Sequence, residues 1–400
     1  MRPAPPPRIS HALAAVALSL LMGLQPITTD LYLPALPALT RDLSAPMSAV
    51  QLTMSALILA FGLAQLFWGP VADRVGRRPV LLIGLLLYTA ASIGCAEAPG
   101  IGWLIAWRAV QGACMAAAVV CARAMLRDLY EPHEGARVMA LALSGLAVIA
   151  IIAPVLGGFL VSALSWRATL VGVAVCGALT LAFVALKLPE TAQRDKLQTT
   201  RAAPLWATWG RIARHRVFVA WTLLISCTYG GMFLFLAGSS FVLMDVLGLS
   251  ASSYGLAMAT SSCSYLIGTS ICRHWIARWG MAGAVQRGAL FTLAGGLSMA
   301  ALALSGVHSV WAILVPQWLY TFGHGIHQPC GQAAAVGPFA QAAGAAAALA
   351  GFVLAITAFA VGLWLGRALD GTVLPMALGL AFFAMLTSTV AWTLVQRARI

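Results

Sequence analysis

The sequence predicts an all-α integral membrane protein with twelve transmembrane helices in two six-helix, pseudo-symmetric bundles. Three observations carry this reading. Of the 400 residues 61% are apolar and only 9% charged, with a mean hydropathy of +0.91, whereas soluble domains are about a quarter charged. The apolar residues gather into twelve runs, each near the ~20 residues that cross a bilayer. The arginines and lysines fall between those runs with a strong bias to alternate connections.

Arg2 and Arg8 precede the first run, from about Ile9 to Leu36. A signal peptide also begins with basic residues, but this stretch is too long, carries Asp30 near its end and shows no small-x-small cleavage site. Further runs fall at residues 46–69, 79–97, 100–124, 136–160 and 166–187, then at 217–244, 251–272, 282–304, 308–331, 340–366 and 373–395. Gly337-Pro338 divides the last alanine-rich stretch. This predicts a first half at residues 1–187, a linker at 188–216 and a second half at 217–400.

The basic residues test the threading independently of hydropathy. With the N-terminus inside, Arg41, Arg167 and Arg367 alone fall outside. The inner side receives Arg2 and Arg8, Arg74, Arg77, Arg78, Arg123, Arg127 and Arg137, then Lys187, Arg194, Lys196, Arg201, Arg211, Arg214 and Arg216, and finally Arg273, Arg278, Arg287, Arg397 and Arg399. Dropping one span would scramble every later connection. The net charge of +13 therefore reports topology, and no nucleic-acid partner is expected. The second half repeats the layout of the first, with Arg273, Arg278 and Arg287 standing where Arg74, Arg77 and Arg78 stood.

The elbow between the second and third runs is short and basic: Gly69-Pro70-Val71-Ala72-Asp73-Arg74-Val75-Gly76-Arg77-Arg78-Pro79. Gly76 and Pro79 supply a turn and restart a helix. Asp73 is costly there unless N–H groups or a guanidinium meet it. These residues resemble the signature G-x-x-x-D-R-x-G-R-[KR] of the major facilitator superfamily, with every fixed position filled by Gly69, Asp73, Arg74, Gly76, Arg77 and Arg78. The resemblance implies that Asp128 sits near Arg77 as a conformational latch on the cytoplasmic side, that Asp73 meets a helix end of the other half, and that this contact closes the inner side of an outward-open state.

Within the apolar runs charge is rare. Asp30 lies in the outer half of the first. An ionised carboxylate there is expensive and suited to exchange a proton with a counter-charge or substrate, whereas at the outer interface Thr28 or Thr29 would merely cap it. Arg108 lies on the fourth run with Gln111 and Met115 on the same helical face. It either faces the bundle interior or snorkels outward beside Trp103 and Trp107. Arg108-x-x-Gln111-Gly112 resembles a second signature of the superfamily, which implies proton coupling and makes Arg108 the partner of Asp30. On the fifth run Ala153-Pro154-Val155-Leu156-Gly157-Gly158 resembles the G-P-x-x-G-G element of its antiporters, with Ala153 replacing the first glycine and Gly145 preceding it on the same run. Proline removes a helix hydrogen bond and paired glycines admit a neighbouring helix, giving a hinge. Asp30-x-Tyr32-Leu33-Pro34-x-x-Pro37 and Arg127-Asp128-Leu129-Tyr130 resemble the bacterial Bcr/CflA group of drug exporters.

The second half offers bulk. Tyr229, Met232, Phe233 and Leu236 recur at helical spacing and form either a polarizable substrate wall, alongside Tyr32, or ordinary packing. His324 and His327 either relay protons or are hydrogen-bonded core residues. The eight cysteines are scattered without C-x-x-C, and no G-x-x-x-x-G-K-[ST] is present, so neither a metal, a cofactor, catalysis nor bound nucleotide is expected.

The combined expectation is proton-coupled export of small amphipathic drug-like compounds by alternating access. Its partners would be the substrate, protons and the bilayer. The resemblance implies a monomer in the bacterial cytoplasmic membrane, with both termini inside. A symporter importing a metabolite, or a non-transporting membrane receptor or assembly partner, are the alternatives.

Overall fold

The computed structural model describes residues 9–191 and 205–398. Arg2, Arg8, Arg194, Lys196, Arg201 and Arg399, used above for topology, lie outside the described residues, as do the corresponding parts of the predicted first half, linker and second half.

Among the described residues ten helices are long and apolar enough to cross a membrane. They reach twelve spans for two reasons. The 54-residue run Ala251–Leu304 is two helices joined at Gly280, whose φ of 68° leaves the helical region. The 27-residue helix Val310–Val336 has spanning length but carries Gln317, His324, His327, Gln328 and Gln332, so it is less apolar than the rest. In order, the spans are the first (His11–Asp42), second (Met47–Val75), third (Arg77–Ala96), fourth (Ile101–Leu129), fifth (Arg137–Ala163) and sixth (Trp166–Lys187). The seventh (Arg216–Val246), eighth (251–279), ninth (281–304), tenth (Val310–Val336), eleventh (Ala343–Ala368) and twelfth (Leu374–Arg397) follow.

Several bounds differ from the sequence expectation for identifiable reasons. The first span breaks after Asp30 and passes through a 3-10 turn, Leu33–Ala35, into the helix Leu36–Asp42. Pro34 and Pro37 each lack a backbone donor, and Pro34 steers Leu33 away from regular helix. Asp30 therefore stands at a break well inside the span rather than at its outer end. The eighth and ninth spans have almost no loop, because a single residue with positive φ reverses the chain. Gly76, at φ 111°, does the same between the second and third. The two glycines occupy equivalent places in the halves, and L-residues rarely adopt such angles. A helix Leu205–Ala213 lies in the linker, and a 3-10 segment Gly337–Ala342 occupies the expected divider.

Spans one to six pack chiefly with one another, and so do seven to twelve. The most extensive contacts between the groups are those of the second span with the eleventh and of the fifth with the eighth, and the first span also touches the seventh and eighth. Small residues set these distances. A Cβ at Gly62 would overlap Ala355, and one at Gly362 would overlap the Ser55 hydroxyl. In lipid such close approach supplies the dispersion contact that no hydrophobic drive between helices provides.

Candidate functional site

Arg108 is fully buried, and its surroundings come entirely from the first six spans. Its Nη1 donates to Gln111 Oε1 at 2.8 Å, both Nη atoms lie 3.3 Å from the Thr28 carbonyl, and Nη2 reaches Met54 Sδ at 3.3 Å. The guanidinium stacks 4.2 Å above the Tyr32 ring. Gln111 continues the network by donating to Ser92 Oγ at 2.7 Å, Ser92 donates to the Tyr88 carbonyl, and the Tyr88 hydroxyl meets Thr28 Oγ1. Tyr32 is anchored by its hydroxyl to Thr53 Oγ1 at 2.9 Å. Carbonyl, amide and π-face together receive the positive charge, the kind of pairing intramembrane arginine requires. Arg108 faces the interior, and Met115 is buried on the same helix.

Asp30 is not part of this network. No hydrogen bond or ion pair joins it to Arg108 in this conformation, contrary to the expected pairing. Its Oδ1 accepts from Thr29 Oγ1 at 2.7 Å, and the phenols within its electrostatic reach are Tyr229 and Tyr254 of the second half. The proline break turns the carboxylate toward the other bundle, and that turn separates it from Arg108.

On the second-half side Tyr229, Met232 and Leu236 are half-buried, whereas Phe233 is buried against Gly362 of the eleventh span and is packing. His324 Nδ1 lies 3.1 Å from Thr228 Oγ1, and His327 Nδ1 lies 3.5 Å from the same hydroxyl. His327 Nε2 faces the Val285 carbonyl at 3.3 Å, so it carries the proton. Tyr229 and Tyr265 flank the His324 ring at 6.5 and 5.7 Å. Cys272 and Cys330, distant in sequence, meet at 3.5 Å with both thiols free.

The elbow forms a compact charge cluster. Arg77 donates from Nε to Asp128 Oδ2 at 3.1 Å and from Nη1 to Asp73. Asp128 on the fourth span is thus in contact with Arg77. Asp73 does not meet a helix end of the other half; its partner is Arg77, one turn along. Arg74 is exposed. Arg78 donates to the Leu188 and Ala185 carbonyls, both at 2.8 Å. Sequence reasoning missed Glu190, which accepts from the Arg77 and Arg78 backbone N–H groups at 2.9 and 3.1 Å. It caps the third span from the end of the sixth, across more than a hundred residues, so no local pattern signals it. Replacing Glu190 by Ala is expected to cost about 1 kcal/mol, as loss of a helix cap does, read as a lower melting temperature of the purified protein; an unchanged value would contradict the capping role.

The fifth-span element is where the halves touch. A Cβ at Gly158 would overlap the Ala251 carbonyl and one at Gly255 the Pro154 carbonyl, both across the halves, whereas one at Gly157 would overlap the Leu31 carbonyl within the first half. Ser162 and Ser252 share a hydrogen bond of 2.9 Å across the seam, and Ser262 donates to the Ala150 carbonyl. Gly145 packs within the first half against Ser19. On the same side Gln51 donates to the Ala237 carbonyl at 2.6 Å, and Arg41 pairs with Asp245 at 3.4 Å. The side opposite the elbow is thus sealed.

The elbow side is open. A cavity of about 420 Å³ lies there between the halves. Gly69, Asp73 and Arg77 contribute to its lining, together with Arg123, Arg127, Met139 and Trp209. None of Asp30, Tyr32, Arg108, Gln111, Met115, Tyr229, Met232, Phe233, Leu236 or His324 lines it; Asp30, Tyr229, Met232 and Leu236 are partly buried and the others buried.

A family model described as Major Facilitator Superfamily matches residues 18–362. The chain is similar to Multidrug resistance protein D of Escherichia coli, 31% identical over 335 residues that cover 84% of this chain and 83% of that protein. It is also similar to the Bicyclomycin resistance protein homolog of Haemophilus influenzae, 28% identical over 240 residues and 60% of each. The fold matches the xylose transporter XylE from E. coli in a partially occluded inward open conformation, with TM-score 0.75, 13% identity and coverage of 96% of this chain and 98% of that one. With the family model spanning most of the length and the twelve-span layout agreeing, the chain belongs to the Major Facilitator Superfamily.

Proposed function

We propose that this protein exports small amphipathic drug-like molecules in exchange for protons, as a member of the drug:proton antiporter group. Relatives named for multidrug and bicyclomycin resistance support the cargo class. The observation that carries the coupling is Asp30, a carboxylate at a helix break inside the first span whose recorded hydrogen-bond partner is the neighbouring Thr29. Such a group ionises or takes a proton according to how much water and cargo reach it. Arg108 holds the neighbouring backbone at Thr28 in place.

The mechanism follows from the two faces. With the elbow side open, cargo enters between the halves. Residues 1–187 and 217–400 then rock as units about the second–eleventh and fifth–eighth contacts, with residues 188–216 as tether. Closure of the open side brings Tyr229 and His324 to the cargo, and the sealed seam at Gly158 and Gly255 parts. Proton uptake at Asp30 from the far side favours return. Both termini lie in the cytoplasm of a bacterial cell, the protein works as a monomer, and it performs no catalysis.

Expression in an efflux-deficient strain tests this. Inhibitory concentrations of bicyclomycin or of several amphipathic dyes are expected to rise at least about fourfold, and proteoliposomes with an imposed pH gradient should move the same compounds outward. If no compound is affected, or if the gradient drives inward accumulation together with protons, export is the wrong reading.

A further inference from the structure

The open cavity contains cations without counter-ions. Arg77 is held by Asp73 and Asp128, but among the described residues neither Arg123 nor Arg127 makes a hydrogen bond or an ion pair. Arg123 is only partly exposed, deeper than Arg127, and the charge that acts on it is Arg127, of like sign. The facing wall is Val336, Ala343, Gly344, Ala345, Ala347 and Ala348, with no charge at all. The second half has only two acidic residues, Asp245 and Asp370. Asp245 pairs with Arg41 on the opposite side, and Asp370 follows the outer end of the eleventh span. Closing the cavity therefore presses an alanine wall onto Arg123; among the described lining residues the carboxylate is Asp73, which Arg77 already engages. Burying an unpaired guanidinium is costly, and a negative charge arriving with the cargo removes that cost.

We infer that Arg123 anchors the anionic group of the cargo, so that the cavity admits amphipathic molecules bearing one negative charge, aromatic carboxylates being the simplest. This deepens the export reading and rests on it for the identity of the ligand as cargo. Trp209, Met139, Leu66 and Leu126 offer apolar surface for the body of the molecule. Arg127, exposed at the mouth, draws anions in. The volume of about 420 Å³ lies in the range of small-molecule sites. An anionic lipid headgroup carries the same charge, and the test separates the two sources.

Naphthoate, naphthylmethanol and naphthylmethylamine share one body and differ in charge. Equilibrium binding of each to the full-length protein in nanodiscs is compared with zwitterionic lipid alone and with added phosphatidylglycerol. Naphthoate is expected to bind at least about tenfold more tightly than the alcohol in both bilayers, as a charge-assisted contact gives. Arg123→Gln should erase that preference, while Arg123→Lys and Arg127→Gln keep most of it. Equal binding of the three probes by the parent protein, or a preference that survives Arg123→Gln, overturns the inference. Loss of the preference on adding phosphatidylglycerol also overturns it, since the lipid is then the occupant. The parent ranking decides the matter even where the glutamine variant fails to fold. Flux of all three probes in proteoliposomes is scored separately: charge-ranked binding without any flux defeats the export reading and leaves the anion site standing, whereas flux of the alcohol with no naphthoate preference does the reverse.

Discussion

Replacing Asp30 by Asn is expected to leave the protein folded and to reduce pH-gradient-driven efflux to background. The amide oxygen of asparagine can still accept from Thr29 Oγ1, the bond of 2.7 Å that holds the carboxylate, so the helix break and the Thr28 carbonyl under Arg108 stay in place. What is lost is the ability to gain and release a proton at the junction of the bundles. The variant should still bind cargo and exchange it down its own gradient, because uncoupling removes the driving force and not the conformational change. Drug-induced proton release, followed with a pH dye in vesicles, should vanish. Asp30→Glu should keep part of the activity. Efflux by the asparagine variant at the parent rate, with the same dependence on external pH, would transfer the coupling to another group, and the pair His324 and His327 would be the next to change.

Gly158→Val is expected to prise open the side that is sealed here. A side chain at this position meets the Ala251 carbonyl, a backbone atom that cannot turn aside. Overpacking of this kind typically costs about 1–3 kcal/mol, and every ~1.4 kcal/mol is a factor of ten in population. Because Gly158 and Ala251 belong to different halves, the molecule escapes the clash by separating them rather than by unfolding. Ser252, which faces Ser162 across the seam, reports the change: as Ser252→Cys it should react with a membrane-impermeant maleimide at least about tenfold faster in the valine variant. Gly112→Ala provides the contrast. Its clash is with the Leu57 carbonyl inside the first half, so it should lower the melting temperature without exposing residue 252. Equal reactivity with and without the Gly158→Val substitution would mean that the seam does not govern access.

Much of this architecture was legible in the chain. Hydropathy and the bias of arginines gave twelve crossings, and even the divider at Gly337-Pro338 falls where the tenth span ends. The tenth span tested that method most, since His324, His327 and three glutamines lower its apolarity, and in the fold both histidines find partners in Thr228 and, for His327, the Val285 carbonyl. The one-residue reversal at Gly280 was blurred into a longer gap, because a lone glycine in a run with Arg278 and Arg287 gives no periodic signal. Side-chain networks were harder. Arg108 and Gln111 are adjacent on one helix face, and their contact follows from spacing. The diversion of Asp30 away from Arg108 depends on how Pro34 and Pro37 bend the chain, and the capping by Glu190 depends on which helix ends meet in space. Arg123 is one of many topology-marking arginines in the sequence, and only the folded cavity sets it among lining residues that include Trp209.

The two faces of the molecule are held by different forces, and that difference has a consequence. Carbonyls against glycines and paired serine hydroxyls close one face, helped only by the exposed pair Arg41 and Asp245. The other carries the ionic cluster of Asp73, Arg77 and Asp128 beside free guanidiniums. Mobile ions screen exposed charges over roughly 8 Å at physiological ionic strength, yet they barely touch dispersion between backbones. Among the described residues the ion pair that joins the halves, Arg41–Asp245, is on the sealed face, so dissolved salt loosens that strand of the seam and leaves its backbone contacts untouched, while the cluster of Asp73, Arg77 and Asp128 stiffens one bundle rather than bolting it to the other.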